Sequence, residues 1–526
     1  MSFEASPRIS TRVMNLAELL VQAAARYPDR PAIMRGDEQL NWAQLNARVD
    51  AACQSLKQLG IQSGDKIVVQ SRNCFELFET MFVAFKLGAV WVPTNYRITP
   101  DDVAHVASAS EAKLIIYDEM FPTHADAAVN AGVKHVICIG KARPGELAYG
   151  EIAQSDTREA FEPATVEYNH PCWFFFTSGT TGKPKAAILT HGQMAFVINN
   201  HIADLMPGLT SRDASLVVAP LSHGAGVHQL IQVARCVPSI LTRSDKLDPE
   251  EIFALIERHR ISNMFTVPTI LNALTTHDAI DQYDLSSLRH VIYAGAPMLR
   301  HHQKHALEKL GNCLVQYFGL GEVTGNITVL PREEHAAEDD AMRTGTCGYA
   351  RTGMKIEIQD ENGGALKPGQ TGEICVIGPA VFSGYYKNVE ANKAAFRNGW
   401  FRTGDLGHLD ENGYLYITGR ASDMFISGGS NIYPLEIEEK IAAHPAVAEA
   451  CVVGMPDEKW GEIGVAALSL TDGSSLDYEA LKAFLKGEIA DYKIPKQLVL
   501  FDDLPKSGYG KITKKLVRAA IEARQS

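Results

Sequence analysis

The most informative stretch of this sequence is Thr177-Ser178-Gly179-Thr180-Thr181-Gly182-Lys183-Pro184-Lys185. It lies between two apolar runs, Trp173 to Phe176 and Ala186 to Leu189. Hydroxyl groups and glycine amides at this density, together with two lysines, suit a loop that closes around a polyphosphate. The stretch is not a Walker A loop, because Thr177 replaces the first glycine of that motif and Pro184 replaces its Ser or Thr.

Length and composition indicate an ordinary globular protein with more than one domain. A chain of 526 residues is too long for one compact core. Hydrophobic residues make up 46% of the chain and charged residues 21%, which is typical of globular proteins. The net charge of -12, without a cluster of Lys and Arg, disfavours a nucleic-acid surface. We therefore expect no nucleic-acid partner and a small-molecule substrate.

The cysteines and the start of the chain predict the cellular location. The nine cysteines are scattered and form no CxxC pair, which favours reduced thiols over disulfides or a structural zinc site. The first residues lack the apolar segment of a secretory signal, and no apolar run is long enough for a membrane span. We expect a cytoplasmic protein without integral membrane association. A homodimer is one arrangement that the sequence leaves open.

The alternation of helical stretches with short apolar runs predicts α/β layers. The clearest apolar runs are Leu114 to Tyr117, His135 to Ile139, Ser215 to Ala219 and His290 to Tyr293. From about residue 345 the sequence changes to strand-like runs separated by turns such as Asp410-Glu411-Asn412-Gly413, which predicts a β-rich region. After Gly419-Arg420 the remaining residues suffice for a small second domain.

Residues 177 to 185 resemble the phosphate-binding loop of the adenylate-forming superfamily, and further motifs recur in the family's order along nearly the whole chain. The superfamily comprises acyl-CoA and aryl-CoA synthetases, adenylation domains of peptide synthetases and beetle luciferases. The predicted fold is an N-terminal domain, residues 1 to 419, of α/β subdomains and a β-rich, barrel-like subdomain. A small mobile α+β C-terminal domain, residues 420 to 526, would follow. The active site would lie between the two domains.

The resemblance implies an ATP-dependent carboxylate–CoA ligase. Such an enzyme uses ATP and Mg²⁺ to convert a carboxylic acid into an acyl-adenylate and pyrophosphate. Coenzyme A, the second co-substrate, then displaces AMP and takes the acyl group. The activation is necessary because a carboxylate is a poor electrophile until one of its oxygens becomes part of a phosphate leaving group.

The resemblance also assigns the nucleotide contacts. Glu322 would help to hold Mg²⁺, which prefers carboxylate oxygen. Phe318 would lie against adenine, and Asp405, with two acceptor oxygens, would bind both ribose hydroxyls. The other expected ATP contacts are Thr177, Ser178, Gly179, Thr180, Thr181, Gly182, Lys183, Lys185, Gly295, Ala296, Pro297, Gly319 and Arg420. The chain departs from the family pattern at Gly321, where a Thr is usual, and at Phe318, where a Tyr is more frequent.

The last hundred residues carry the motifs expected for the second half-reaction and for the catalytic lysine. Gly428, Gly429 and Trp460 would contact coenzyme A, and Gly429 would line the path of its thiol. Lys511 would neutralise the substrate carboxylate and the α-phosphate as they approach each other. Ser422 occupies the expected hinge position, where the family usually has Asp or Lys. Together with Glu322 and His223, Lys511 is a predicted catalytic residue.

The segments Pro220 to His228 and Tyr293 to Pro297 resemble those that flank the acid in this family. His223 would lie beside the carboxylate, although a core histidine is an equal alternative. The many small residues suggest room for a medium-chain, branched, alicyclic or aromatic acid. The predicted pocket consists of His223, Gly224, Gly226, Val227, Ala294 and Leu320.

Two other functions compete with the CoA ligase. One is a stand-alone adenylating enzyme that loads an amino acid onto a carrier protein, but Pro220 to Leu230 contains no acidic residue to pair with an α-amino group. The other is a catalytically impaired nucleotide-binding homologue. Gly321 favours it, whereas the presence of Glu322, Asp405, Arg420 and Lys511 argues against it. A luciferase activity is a remote third alternative.

Overall fold

The computed structural model describes residues 11–154, 160–177, 183–244, 246–427, 430–506 and 512–525. The helices are α1 (Glu18–Arg26), α2 (Trp42–Gln58), α3 (Phe75–Leu87), α4 (Pro100–Ser110), α5 (Pro122–Asn130), α6 (Tyr149–Ile152), α7 (His191–Asp204), α8 (Gly224–Ala234), α9 (Pro249–His259), α10 (Pro268–Thr275), α11 (Arg300–Leu310), α12 (Val389–Ala395), α13 (Pro434–Ala442), α14 (Tyr478–Leu485) and α15 (Lys514–Gln525). Short 3-10 helices cover Asp278–Gln282, Gly321–Val323, Arg332–Glu334 and Asp491–Lys493.

The strands up to residue 350 are β1 (Arg12–Val13), β2 (Pro31–Arg35), β3 (Glu38–Asn41), β4 (Lys66–Gln70), β5 (Val90–Thr94), β6 (Leu114–Asp118), β7 (His135–Ile139), β8 (Leu147–Ala148), β9 (Val166–Glu167), β10 (Pro171–Thr177), β11 (Lys185–Thr190), β12 (Ser215–Val217), β13 (Ser239–Leu241), β14 (Asn263–Thr266), β15 (His290–Tyr293), β16 (Leu314–Phe318), β17 (Thr328–Leu330) and β18 (Tyr349–Ala350). The later strands are β19 (Lys355–Gln359), β20 (Gly372–Ile377), β21 (Phe396–Arg397), β22 (Trp400–Leu409), β23 (Leu415–Arg420), β24 (Phe425–Ser427), β25 (Ser430–Ile432), β26 (Val447–Asp457), β27 (Gly461–Leu470) and β28 (Gln497–Leu500).

Two large sheets with helices packed on them form most of the molecule. The first has the order β11-β10-β5-β4-β6-β7-β8, and the second β18-β17-β16-β15-β14-β12-β13-β2-β3. The inner strands of both are parallel. Antiparallel pairs stand at both ends of the second sheet and at the β11 end of the first, whereas β8 at the other end is parallel to β7. Strands such as β6 are buried along their whole length because helices cover both faces. The four apolar runs cited above lie on β6, β7, β12 and β15, so the predicted α/β layers are confirmed.

The β-rich region predicted from about residue 345 is also present. Strands β19 to β23 form a five-stranded antiparallel sheet in which β22 pairs with β20, β21 and β23. The predicted turn at Asp410 connects β22 to β23. Its carboxylate accepts hydrogen bonds from the backbone N–H groups of Asn412 and Tyr414, both at 2.9 Å, and Gly413 has a φ of +84°.

The last five strands form a separate small sheet, with the order β25-β24-β27-β26 and β28 beside β27. One apolar cluster, which includes Ile437 and Leu481, packs α13 and α14 against it. A second, which includes Val517 and Ile521, packs α15 against it. The change from one sheet to the next falls between Arg420, the last residue of β23, and Phe425, the first of β24. The α+β character expected of the C-terminal part is therefore confirmed.

Among the described residues, no helix is long and apolar enough to cross a membrane.

Candidate active site

The phosphate-loop motif connects β10 to β11 as a hairpin. Thr177, the last residue of β10, pairs with Lys185, the first residue of β11. The Thr177 hydroxyl donates a 2.7 Å hydrogen bond to Oε1 of Glu322, which lies in the 3-10 helix that follows β16. The first sheet thereby meets the second at a buried carboxylate. Of the loop itself, Ser178, Gly179, Thr180, Thr181 and Gly182 lie outside the described residues.

Tyr385, which the sequence analysis missed, binds the same carboxylate. Its hydroxyl donates a 2.9 Å hydrogen bond to Oε1 of Glu322, and the ammonium group of Lys185 lies 5.3 Å from the centre of its ring. Burial, followed by the charge of Glu322, raises the pKa of Tyr385, so its hydroxyl stays protonated and can donate. Tyr385 therefore connects the predicted magnesium ligand to a lysine of the phosphate loop.

The arrangement around Glu322 fits a magnesium ion held jointly with phosphate oxygens. Both hydroxyl donors bind Oε1, so this oxygen is held by two hydrogen bonds. Among the described residues there is no group of three or more His, Cys, Asp and Glu side chains that could hold a metal by themselves. A single carboxylate is sufficient, since Mg²⁺ in nucleotide sites is usually bound by one or two carboxylates plus the phosphates of the substrate.

Asp405 and Arg420 face each other on adjacent strands, β22 and β23. Nε of Arg420 lies 3.1 Å from Oδ1 of Asp405. Burial raises the pKa of Asp405 to about 6, against the lowering effect of Arg420. The negative charges of Asp423 and Glu322 also raise this pKa. Ionised Asp405 is thus costly in the folded chain, as is common for functional carboxylates.

The predicted adenine contacts lie at the ends of β15 and β16. Phe318 closes β16 and is half-buried in the same cleft as Glu322 and Asp405. A side chain at Gly319 would place its Cβ 2.4 Å from Cα of Gly325, so this position requires glycine for a close backbone approach. Gly295 has a φ of +87°, and Ala296 and Pro297 after it are exposed in the cleft.

Four of the residues predicted to surround the acid line the cleft: His223, Gly224, Val227 and Leu320. The ring of His223 lies 3.0 Å, Nδ1 to Oγ, from Ser222. Three aromatic side chains that the sequence analysis did not single out line the same wall: Phe175, Phe265 and Tyr317. Phe265 and Tyr317 are stacked at 6.0 Å with an interplanar angle of 18°.

Two predicted pocket residues belong to the packed interior instead. A Cβ at Gly226 would lie 2.1 Å from the carbonyl oxygen of Leu221 and 3.0 Å from the ring of Trp173, so Gly226 provides close packing of α8 and no room for substrate. Ala294 is buried in the main hydrophobic core. Neither residue lines the cleft, because protein atoms already occupy the space around them.

The C-terminal part presents Trp460 at its surface. The side chain is 44% exposed in the turn between β26 and β27, where its backbone N–H donates to Asp457. Core packing does not explain this tryptophan, whose ring centre lies 5.0 Å from Nζ of Lys459. The hydroxyl of Ser422, the predicted hinge residue, lies 3.2 Å from Asp423, between the two sheets. Gly428, Gly429 and Lys511 lie outside the described residues.

Two lysines on either side of position 511 have carboxylate partners. Nζ of Lys506 lies 2.8 Å from Glu449, and Lys506 and Ile512 form an antiparallel bridge. Lys514, at the start of α15, binds Glu438 of α13 and donates a 3.0 Å hydrogen bond to the carbonyl of Val452. These ion pairs fix the chain just before and just after the segment that contains Lys511.

The missed residues carried little signal in the sequence. Tyr385 lies in a Gly-Tyr-Tyr segment far from the motifs, and only its packing beside β11 brings it to Glu322. Phe175, Phe265 and Tyr317 are aromatic residues of β10, β14 and β16, and such residues are usually core residues. The alternation of side chains along β10 was the one available clue, since it places Phe175 on the same face as Thr177.

Comparison with known proteins identifies the family. The model of the AMP-binding enzyme family matches residues 20–386, and that of the AMP-binding enzyme C-terminal domain matches residues 436–511. A feruloyl-CoA synthase of Amycolatopsis sp. is 33% identical over 512 residues, which cover 96% of this chain and 99% of the relative. An indoleacetate–CoA ligase of Aromatoleum aromaticum is 33% identical over 510 residues, covering 97% of this chain and 98% of the relative.

The solved structure of o-succinylbenzoate CoA synthetase (MenE) from Bacillus subtilis, in complex with the acyl-adenylate OSB-AMP, has the same fold. Its TM-score is 0.85 at 28% identity, and the match covers 98% of this chain and 99% of that chain. The same enzyme in complex with ATP and a magnesium ion matches with a TM-score of 0.84 at 28% identity, over 97% of this chain and 100% of that chain. This chain therefore belongs to the AMP-binding enzyme family, among its acid–CoA ligases.

Proposed function

We propose that this protein is an AMP-forming ligase that joins a bulky apolar acid, preferably an aromatic one, to coenzyme A. The observation that carries the proposal is the convergence of Thr177, Glu322, Asp405 and His223 on one cleft. A phosphate loop, a metal-binding carboxylate, a ribose acceptor and an acid pocket are the parts that adenylation of a carboxylic acid requires. The relatives named as CoA ligases over nearly their whole length support coenzyme A as the acceptor.

The aromatic side chains on the side of the cleft near His223 support an aromatic or other apolar acid as the substrate. Phe265 and Tyr317 present ring surface to the cleft, and an aromatic substrate gains from such contacts beyond the area it buries. Behind them His228 stacks on Phe265 at 4.5 Å, and burial, with the charge of Arg351, lowers its pKa to about 3. This histidine is therefore neutral at pH 7 and would not pair with a second carboxylate on the substrate.

In the first half-reaction each of these residues would bind a different part of the substrates. The loop from Thr177 to Lys185 would hold the β- and γ-phosphates, Asp405 the ribose, and His223 the carboxylate of the acid. Mg²⁺, when bound by Glu322, supplies positive charge that offsets the charge developing on the phosphates. Lys511 would neutralise the carboxylate and the α-phosphate, two anions that otherwise repel each other.

In the second half-reaction the C-terminal domain, which we place at residues 420 to 526, would rotate about Ser422, so that the residues after Ser422 move while Arg420 stays opposite Asp405. That rotation would withdraw Lys511 and bring Gly429 and Trp460 to the acyl-adenylate. A backbone rotation concentrated at one or two residues between domains is how such closures usually work.

We also propose a cytoplasmic location, which is supported by the nine cysteines, all of them buried free thiols.

A panel of acids tests the proposed function directly. We expect CoA-dependent AMP formation with aryl, arylacetic and medium-chain acids, and kcat/KM values at least roughly tenfold lower for acetate and malonate. The second charge of malonate would be buried without a partner, which costs several kcal/mol in an apolar pocket. The proposal would be rejected if malonate were the best substrate. It would also be rejected if AMP formation were independent of CoA for every acid in the panel.

Replacing Tyr385 by Phe should weaken the binding of magnesium-loaded ATP by roughly tenfold, because one hydrogen bond to a charged carboxylate is lost. Binding of ATP without magnesium should change much less. Titration calorimetry at several magnesium concentrations measures both. Tyr386→Phe is the matched control. The hydroxyl of Tyr386 donates an exposed hydrogen bond to Glu111, whereas that of Tyr385 donates to Glu322. Equal weakening with and without magnesium would contradict the role given to Tyr385.

Nucleotide affinity should fall as the pH is lowered through about 6, because protonated Asp405 can no longer accept two hydrogen bonds. The pKa of Asp405 is higher in the folded chain than in the unfolded chain, so its ionisation above pH 6 opposes folding and favours only the ligand. The measurement is the dissociation constant of ATP between pH 5 and 8. Asp405→Asn removes the carboxyl but leaves the titration of ATP itself, so the difference between the two curves isolates Asp405. Parallel curves would contradict the assignment.

Lys511→Ala should slow acyl-adenylate formation by about 10²–10³-fold, the usual effect of deleting one preorganised electrostatic donor. Thioester formation from chemically prepared acyl-adenylate should be nearly unchanged, because Lys511 acts in the first transition state only. The two half-reactions are measured separately as pyrophosphate release and as thioester formation.

Gly429→Leu is the matched control for Lys511→Ala. It should obstruct the thiol path and spare adenylation. If Lys511→Ala adenylates at the wild-type rate, or if it loses both steps equally while folded, the mechanism with two domain positions is wrong.

A further inference from the structure

Gly321, where the chain departs from the family pattern, lies against an aromatic ring. A Cβ added to Gly321 would lie 2.7 Å from both Cδ1 and Cε1 of Phe175 and 3.0 Å from Cγ2 of Thr177. Non-bonded carbon atoms do not approach each other to 2.7 Å. The ring of Phe175 would therefore have to move to admit any side chain at position 321. The backbone is no obstacle, because Gly321 is not among the residues with positive φ.

The same ring touches the acid side of the cleft. Phe175 packs edge-to-face with His223, at 5.5 Å between ring centres and an angle of 79°. On its other side it lies 5.8 Å from the ring of Trp173, which is fully buried in the core. Phe175 thus stands between the predicted carboxylate ligand, His223, and the start of the segment that carries Glu322.

A small cavity lies behind this contact. It is lined by Pro93, Thr94, Asn95, Ile98, Val106, Phe175, Phe176, Ser222 and His223, and it has room for about one water molecule. Phe175 and His223 line both this cavity and the main cleft. The polar groups of Thr94, Asn95 and Ser222 suit a water molecule there. Removing the ring of Phe175 would open the cavity towards the reacting carboxylate.

We propose that Phe175 is a positioning residue that fills the space left free by Gly321, holds His223 in place and shields the acyl carbonyl of the adenylate from water. The inference rests on the proposed function, since it concerns the same acid and adenylate. Its chemical consequence is the suppression of one side reaction. In that reaction water adds to the acyl carbonyl of the adenylate, the bond between acyl carbon and phosphate oxygen breaks, and free acid, AMP and a proton are released.

A double-mutant cycle tests whether Phe175 and Gly321 share one space. Gly321→Thr alone should lower kcat/KM for acyl-adenylate formation at least about tenfold, which corresponds to about 1.4 kcal/mol. In a Phe175→Leu background the same Gly321→Thr change should cost less than about twofold, because the smaller side chain gives the threonine room. An equal loss in both backgrounds would overturn the proposal.

The control background is Phe174→Leu. Phe174 is the preceding residue of the same strand, points to the opposite face and packs against Tyr386 at 4.8 Å. Gly321→Thr should lose its full factor of about ten there. Melting temperatures of all variants show which of them fold. If Gly321→Thr does not fold, Gly321→Ala replaces it, since the Cβ atom alone already meets the ring.

A second measurement separates positioning from a merely structural role. We expect Phe175→Ala to raise the ratio of AMP released to thioester formed at saturating CoA by at least about fivefold, whereas Phe174→Ala should leave the ratio at one. An unchanged ratio in a folded Phe175→Ala variant would overturn the shielding role. The wild-type enzyme would still ligate acids to CoA in that case, so failure of this inference is distinguishable from failure of the proposed function.

Discussion

The carboxylate of Glu322 is the point on which the geometry of the site depends. It accepts a hydrogen bond from Thr177 at the end of the first sheet and another from Tyr385. The backbone carbonyl of Glu322 accepts a 2.8 Å hydrogen bond from the N–H of Phe382. The segment that follows Phe382 forms backbone hydrogen bonds with β11. One buried acidic residue therefore joins the first sheet, the second sheet and the connection that leads into the β-rich region. A displacement of any of the three would move the predicted metal ligand.

Burying a carboxylate costs free energy, and this cost explains why hydrogen-bond donors surround Glu322. An ionised carboxylate away from water is tolerated only when hydrogen bonds or positive charge compensate it. Two hydroxyl donors compensate Glu322, and a single guanidinium compensates Asp405. The raised pKa of Asp405 shows that this compensation is incomplete. If Asp405 binds the ribose as proposed, the ribose hydroxyl groups would supply further stabilisation of this carboxylate.

The sequence predicted elements that depend on contiguous motifs, and it missed contacts that depend on packing across the fold. The loop from Thr177 to Lys185 and the turn at Asp410 were recognisable because their glycines, hydroxyls and carboxylates are neighbours in the chain. Tyr385 could not be found, because sixty-odd residues separate it from Glu322 and only the packing of its segment on β11 brings it there. Gly226 was misjudged for a related reason: a glycine in the sequence does not show whether its missing side chain leaves a cavity or admits a neighbouring carbonyl group.

The position of Arg420 explains how the nucleotide contacts could survive a rearrangement of the C-terminal part. Arg420 belongs to β23, and strand pairing with β22 sets it opposite Asp405. Ser422 follows two residues later, where the chain has left that sheet and has not yet entered the next one. A rotation about Ser422 would therefore leave Asp405 and Arg420 together on the nucleotide while everything from β24 onward moves. If these two residues hold AMP as proposed, the adenylate would remain fixed while the groups that act on its acyl carbon are exchanged.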